Sequence, residues 1–150
     1  MVLLARLFLS GIFLVSGAMK MMHWQETEKE LVKVLSDWQV ALSFSTAAQI
    51  TLSNMMAWAP LLLMLATLLE LLGGLLLLFG VKEKLGAFLL ILFLIPVTFV
   101  FHQFWFLEGS AYDLQIAFFF RNVAIMGGLI MVVIHGAHGT MGEKDRFSFE

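Results

Sequence analysis

The sequence predicts an all-α integral membrane protein: a bundle of four transmembrane helices, with an interfacial amphipathic helix between the first two spans. Three observations predict it. Hydrophobic residues make up 61% of the 150-residue chain and charged residues only 13%, well outside the composition of soluble domains. Four separate stretches supply the roughly 20 mostly apolar residues that a helix needs to cross a hydrocarbon core about 30 Å thick. The region between the first and second stretch changes character, gathering charges together with apolar residues at helical spacing. The formal net charge of -2 is too small to call for a nucleic-acid partner. Cysteine is absent, which removes disulfides, thiolate metal sites, Cys-ligated iron–sulfur clusters and dithiol relays. Any redox chemistry then belongs to a bound cofactor or to a partner chain.

The first span is placed at residues 2–22, with Arg6 inside the apolar run. Ser16, Gly17 and Ala18 imitate a signal-peptide cleavage site, but no basic cluster precedes the run and further spans follow, so an uncleaved helix is expected. Residues 25–56 lose the continuous apolar run. Thr27 followed three residues later by Glu30 is a capping-box pattern, and Leu31, Val34, Leu35, Trp38 and Leu42 recur on one face of a helix over 27–42. Glu28, Lys29, Lys33 and Asp37 fall mostly on the other face, so this helix is expected to lie on the membrane surface or to lid the bundle. The Ser, Thr, Gln and Asn content of residues 43–54 reads as a loop or short polar connector.

The second span, 59–79, opens with Pro60, whose missing N–H suits a first helical turn, and closes at Gly80. The turn 80–84 is so short that the third span, 85–107, must run antiparallel beside it. Pro96 interrupts that span and frees the carbonyl of Leu92, which opens space near Thr98 and His102. The fourth span covers 116–134. Residues 1–136 thus form one membrane domain, and 137–150 form a C-terminal tail. The glycine-bearing stretch with His135 and His138 reads as a solvated terminus before it reads as a metal tract, and no metal site is expected. Gly73, Gly74, Gly127 and Gly128 are read as helix-packing positions, where a missing side chain lets backbones approach. Their echo between spans two and four is also what a duplicated helical hairpin would leave.

Four spans put both termini and the 81–84 turn on one side of the membrane. Trp24, Trp38, Trp58, Trp105 and Tyr112 then collect on the other, as an interfacial aromatic belt would. Lys82, Lys84, Lys144 and Arg146 mark the first side as cytoplasmic under the positive-inside rule, against a weaker pull from Lys20, Lys29 and Lys33. The expected location is a bacterial inner membrane with cytoplasmic termini.

An ionisable group deep in a span costs about 2.5–3.5 kcal/mol or more unless it is paired or watered. Glu70 sits near the middle of span two and demands a partner, for which Arg6 from the cytoplasmic half and Arg121 from the outer half compete. His102 and Arg121, flanked by Gln103 and Asn122, are expected at similar depth in the outer half, with Lys20 near the rim. Two readings of Glu70, His102, Arg121, Asn122, Arg6 and Lys20 stay open. One is a site for a small polar-headed ligand such as a quinone, lined by Phe104, Trp105 and Phe118. The other is a structural ion-pair network that fixes helix register. No phosphate-cradling loop, nucleophile elbow or paired-carboxylate motif appears, so no self-sufficient catalytic centre is expected.

An Arg early in span one, then Gly11, Phe13, Gly17 and Lys20, the run Glu70-Leu71-Leu72-Gly73-Gly74 leading to Gly80, His102 late in span three, and Asn122 before Gly127-Gly128 together resemble the DoxX family of small bacterial membrane proteins. The likeness covers nearly the whole chain, and it rests on the order of short elements across four spans. It implies a four-helix bundle and links to membrane oxidoreductase complexes. These include the small subunit of a thiosulfate:quinone oxidoreductase and an assembly that couples a superoxide dismutase and a sulfurtransferase to the membrane. It touches surfeit-type cargo receptors and a methylamine-utilisation membrane protein as well. The function expected on this basis is a membrane-anchoring subunit of a quinone- or sulfur-linked redox complex, with partner proteins and self-association as open questions. A non-enzymatic scaffold or assembly factor, or a small transporter or cargo receptor, is the alternative, because a shared fold does not carry a shared reaction.

Overall fold

The computed structural model describes residues 2–136. In chain order these form α1 (Val2–Met22), α2 (Trp24–Ala41), α3 (Thr46–Ala57), α4 (Ala59–Phe79), α5 (Glu83–Phe101), a short 3₁₀ turn (Phe104–Phe106) and α6 (Gly109–His135). Four helical segments are long and apolar enough to cross a membrane: Leu3–Met22, Ala59–Phe79, Glu83–Phe106 and Gly109–His135. Their outward faces carry Leu3, Phe8, Leu68, Phe79, Phe99, Phe120 and Ile134, all more than half exposed. An apolar surface this continuous is stable only against hydrocarbon, because soluble proteins keep such patches small.

The helices pack in the order α1 on α4, α4 on α5 and α5 on α6, while α1 and α6 barely touch. Glycine sets the two closest approaches. At the α4–α5 crossing, a Cβ added to Gly73 would stand 2.9 Å from the Gly86 carbonyl oxygen, and one added to Gly86 would stand 2.9 Å from the Gly73 carbonyl oxygen. Backbone meets backbone there, as in other close helix pairs in membranes. At the α1–α4 crossing, Gly17 receives Leu71 and Gly74 receives Leu14. Gly127 and Gly128 do not make the close approach expected of them. A Cβ on Gly127 meets nothing within 4 Å, and one on Gly128 meets only Leu9 Cδ1 at 3.9 Å. Their face of α6 is turned away from the tightly packed helices.

The main core is built from Phe13 of α1, Leu77 of α4, Ala87, Leu90, Phe93 and Leu94 of α5, and Leu129 of α6. Phe13 and Phe93 meet edge to face with centroids 6.3 Å apart, a favoured aromatic geometry. Asn122 Nδ2 donates to Thr98 Oγ1 at 3.1 Å and Thr98 Oγ1 donates to the Leu94 carbonyl at 2.6 Å, so the polar groups at the α5–α6 contact satisfy one another. One end of the bundle is tied by charge. Arg6 pairs with Glu83 at 2.7 Å, and Lys84 Nζ donates at 3.0 Å to the Ile134 carbonyl, one of the oxygens that the end of α6 leaves without a helical donor.

The amphipathic helix is a lid. Leu31 and Leu35 of α2 bury with Leu52 of α3 and with Ala59 and Leu63 of α4. Trp38 Nε1 donates at 3.1 Å to the Val100 carbonyl near the C-terminal end of α5. Helix α2 begins at Trp24, with His23 as N-cap and no side-chain capping bond, so Thr27 does not cap it. Its hydroxyl instead donates back to the His23 carbonyl at 3.0 Å, a local bond open to any Thr one turn into a helix. Residues 43–54 are not the expected connector. Ser45 Oγ accepts from the Ala48 N–H and starts α3. Gln39 and Gln49 then lace α2 to α3, with Gln49 Nε2 donating to the Gln39 carbonyl at 2.6 Å and Gln39 Nε2 donating to Ser53 Oγ at 2.8 Å.

Two helix ends differ from the bounds of the apolar runs, although the spanning segments Glu83–Phe106 and Gly109–His135 cover those runs. Helix α5 stops at Phe101, and His102 is its C-cap, not an intrahelical residue. Helix α6 starts at Gly109, two turns before the apolar run, because residues 109–115 satisfy their own backbone helically without being apolar. The C-terminal tail 137–150, with His138, Lys144 and Arg146, lies outside the described residues.

Candidate functional site

Glu70 finds its partner in Lys20. The Lys20 Nζ stands 2.6 Å from Glu70 Oε2 and 3.3 Å from Ser16 Oγ, and the Glu70 side chain is 1% exposed. Side-chain direction explains the pairing. In a helix each Cα–Cβ bond tilts toward the N-terminus. Lys20, late in α1, therefore folds back toward Ser16 and the middle of the membrane. Glu70, on antiparallel α4, leans toward the start of its own helix and so toward Lys20. The same rule sends Arg6 away from Glu70 and out to Glu83. Neither arginine expected to pair with Glu70 does so.

The pair lies against a cavity of about 830 Å³. Of the six residues expected to form a polar cluster, Glu70, His102, Arg121, Asn122 and Lys20 all line it, and Arg6 does not. Ile12, Phe13, Leu69, Phe93, Val97 and Ile125 supply apolar wall, and Phe101 joins Phe13 and Phe93 as its aromatic part. Phe104, Trp105 and Phe118 are not on the wall. Phe104 and Trp105 pack edge to face in a cluster with Phe119, and Phe118 lies under the Arg121 guanidinium at 4.8 Å. Ending α5 at Phe101 turns the 3₁₀ aromatics outward, which removes them from the wall.

Each polar group has a distinct state. Lys20 carries three N–H donors, of which two serve Glu70 and Ser16. Its ammonium also stands 4.6 Å from the centroid of the Phe93 ring, a cation–π contact. His102 Nδ1 lies 2.8 Å from Gln115 Oε1. With that oxygen as acceptor, Nδ1 holds the proton and Nε2 keeps its lone pair. Arg121 is exposed on α6, with its guanidinium over Phe118. Sequence reasoning missed Ser16, Glu26, Thr27 and Glu30, which also line the cavity, as does His23 at the end of the first span. Ser16 stands one turn before Lys20, and Glu26 and Glu30 stand one turn apart beside Leu31. That i, i+4 spacing was the available signal. Among the described residues, no group of three His, Asp or Glu side chains converges as a metal site.

A bundle of four apolar helices, lidded by an amphipathic helix and holding a part-polar cavity in one half, defines a small multi-pass membrane protein. The chain belongs to the DoxX family, whose family model matches residues 1–103. The model of the SURF4 family matches residues 62–146. No curated protein and no solved structure matches the chain.

Proposed function

We propose that this chain is the membrane-anchoring subunit of a quinone- or sulfur-linked redox complex, and that its cavity holds the quinone. The single observation that carries this reading is a cavity of about 830 Å³, mostly apolar, with the Lys20–Glu70 pair on its wall and His102 and Arg121 beside it. That volume falls within the range of small-molecule sites, and the recipe matches theirs: apolar walls with a few polar groups that fix orientation. A quinone has carbonyl oxygens that need donors and a ring and tail that need apolar cover. Lys20 and Arg121 are the donors, and Phe13, Phe93 and Phe101 supply the cover. A bound quinone would contribute two-electron, two-proton chemistry, while this chain orients it and shields it from bulk water.

Electrons would come from a partner protein, since the chain has no cysteine and no self-sufficient catalytic motif. The proposed location is a bacterial inner membrane, with the Arg6–Glu83 end cytoplasmic. The test is to purify the protein in mild detergent and to identify both co-purifying proteins and extracted small molecules by mass spectrometry. Quinone is expected in the native extract, reduced at least tenfold by Arg121→Ala or Glu70→Gln. A quinone-free native extract, with quinone reduction in membranes unaffected by the same substitutions, overturns the reading. The SURF4 match favours a second reading, a small transporter or cargo receptor. It predicts a water-lined path past Glu70, which cysteine scanning along α4 with a membrane-impermeant thiol reagent would reveal.

A further inference from the structure

The cavity reaches both edges of the helix row that do not close on each other. Ile12, Ser16 and Met19 line it from α1, and Arg121, Asn122 and Ile125 line it from α6. These two helices barely touch. They run antiparallel, with Leu9 level with Gly128, so Ile12 faces the level of Ile125 and Met19 that of Phe118. Toward the Arg6 end the gap is filled, because Phe13, Leu129 and Leu9 belong to one core. Toward the other end Met19 is 51% exposed. The face above is partly covered by α2, whose Leu31 and Leu35 bury and whose Trp38 is bonded to α5, while the exposed polar residues His23, Glu26 and Glu30 also line the cavity there. The gap between the outer halves of α1 and α6 lies on the lipid-facing side of the bundle, where these two helices are not packed on each other.

At the inner end of that gap stands Lys20. Among the described residues no third acceptor oxygen meets its ammonium, and the Phe93 ring centroid lies 4.6 Å away. An uncommitted ammonium donor in a low-dielectric cavity is a strong site for one acceptor oxygen.

We propose that the ligand reaches the cavity sideways from the bilayer through the gap between α1 and α6, seats a carbonyl oxygen on Lys20, and leaves its long apolar tail in the gap. This rests on the quinone reading and deepens it, because it selects tailed, lipid-dissolved quinones over short, water-borne ones. A head docked on Lys20 places the tail level with Ile12, Met19 and Ile125, all apolar, so the cavity needs no further room for it.

A chain without cysteine is suited to the test. Met19→Cys/Phe118→Cys is stapled with a reductant-cleavable bifunctional thiol reagent in lipid nanodiscs, and uptake of a ten-isoprene ubiquinone from added vesicles is timed. The staple is expected to slow uptake at least tenfold, and cleaving it with reductant is expected to restore the rate. Leu9→Cys/Gly128→Cys, stapled where the helices already meet, is expected to load normally, which separates blockage from general damage. Lys20→Met in the unstapled protein is expected to weaken ubiquinone binding at least tenfold. Equal uptake with and without the Met19/Phe118 staple overturns the sideways route while leaving the quinone reading standing. Unstapled protein that takes up no ubiquinone overturns the quinone reading and this inference with it.

Discussion

Lys20 and Glu70 hold each other in a place where neither charge is stable alone. With Glu70 at 1% exposure and the two atoms 2.6 Å apart, loss of one partner leaves the other buried and uncompensated, at a cost of about 3–5 kcal/mol. Lys20→Ala and Glu70→Leu are each expected to destabilise by that amount in denaturant titrations of the detergent-solubilised protein. Ser16→Ala removes a neutral acceptor from a charged donor and is expected to cost about 1.5–3 kcal/mol at most. From sequence, Glu70 is visible as a buried carboxylate in need of a partner, because its depth in an apolar run is plain. The identity of the partner is not. Counting residues gives the height of a Cα, whereas Lys20 and Arg6 reach in directions set by the tilt of Cβ along antiparallel helices. Arg121 was misassigned for the same reason: it lies at a suitable height, but its guanidinium rests on Phe118.

At the scale of elements, glycine and the lid carry the sharpest expectations. Gly73→Ala or Gly86→Ala presses a methyl against a carbonyl oxygen of the facing backbone, which cannot move aside as a side chain can, and is expected to cost about 1–3 kcal/mol. Gly127→Ala meets open space and gains helix propensity, so it is expected to stabilise by up to about 1 kcal/mol. Measuring the two α4–α5 variants and the α6 variant in one titration series checks both signs. Trp38→Phe keeps the ring contacts of α2 but leaves the Val100 carbonyl without its indole donor, at about 1 kcal/mol. Hydrogen exchange over α2 is expected to accelerate while that over α4 is unchanged. Helix α2 was legible because its apolar period is strong. Helix α3 was not, since Thr46, Gln49, Thr51, Ser53 and Asn54 are scattered among its apolar residues, and besides the local Ser45 cap it is held by Leu52 in the lid core and by the Gln39–Gln49 lacing, which are tertiary facts. Of four glycines that look alike in sequence, two meet a neighbouring helix closely and two do not. Only the packing partners separate them.

For the whole molecule, hydropathy alone reveals the four spans, and the structure adds that their row is open between α1 and α6. That openness cannot be read from composition, since lipid-facing and gap-facing apolar residues are chemically alike. Orientation is a matter of charge at the two ends. With the Arg6–Glu83 end cytoplasmic, Ser43→Cys is expected to react with a membrane-impermeant maleimide in intact spheroplasts, and Val81→Cys only after lysis. The reverse pattern would invert the orientation and place the cavity toward the cytoplasm.

Whether the mid-membrane charges serve a ligand or only the bundle is decided by replacing both at once. Lys20→Met/Glu70→Leu exchanges the pair for apolar groups of similar size, which is often neutral or stabilising in buried sites. Its stability and its ubiquinone affinity are to be measured together in nanodiscs. If the pair serves a ligand, unfolding stays within about 1 kcal/mol of the unaltered protein and ubiquinone binding weakens at least tenfold. Undiminished ubiquinone binding by the double variant would contradict a ligand role for the pair.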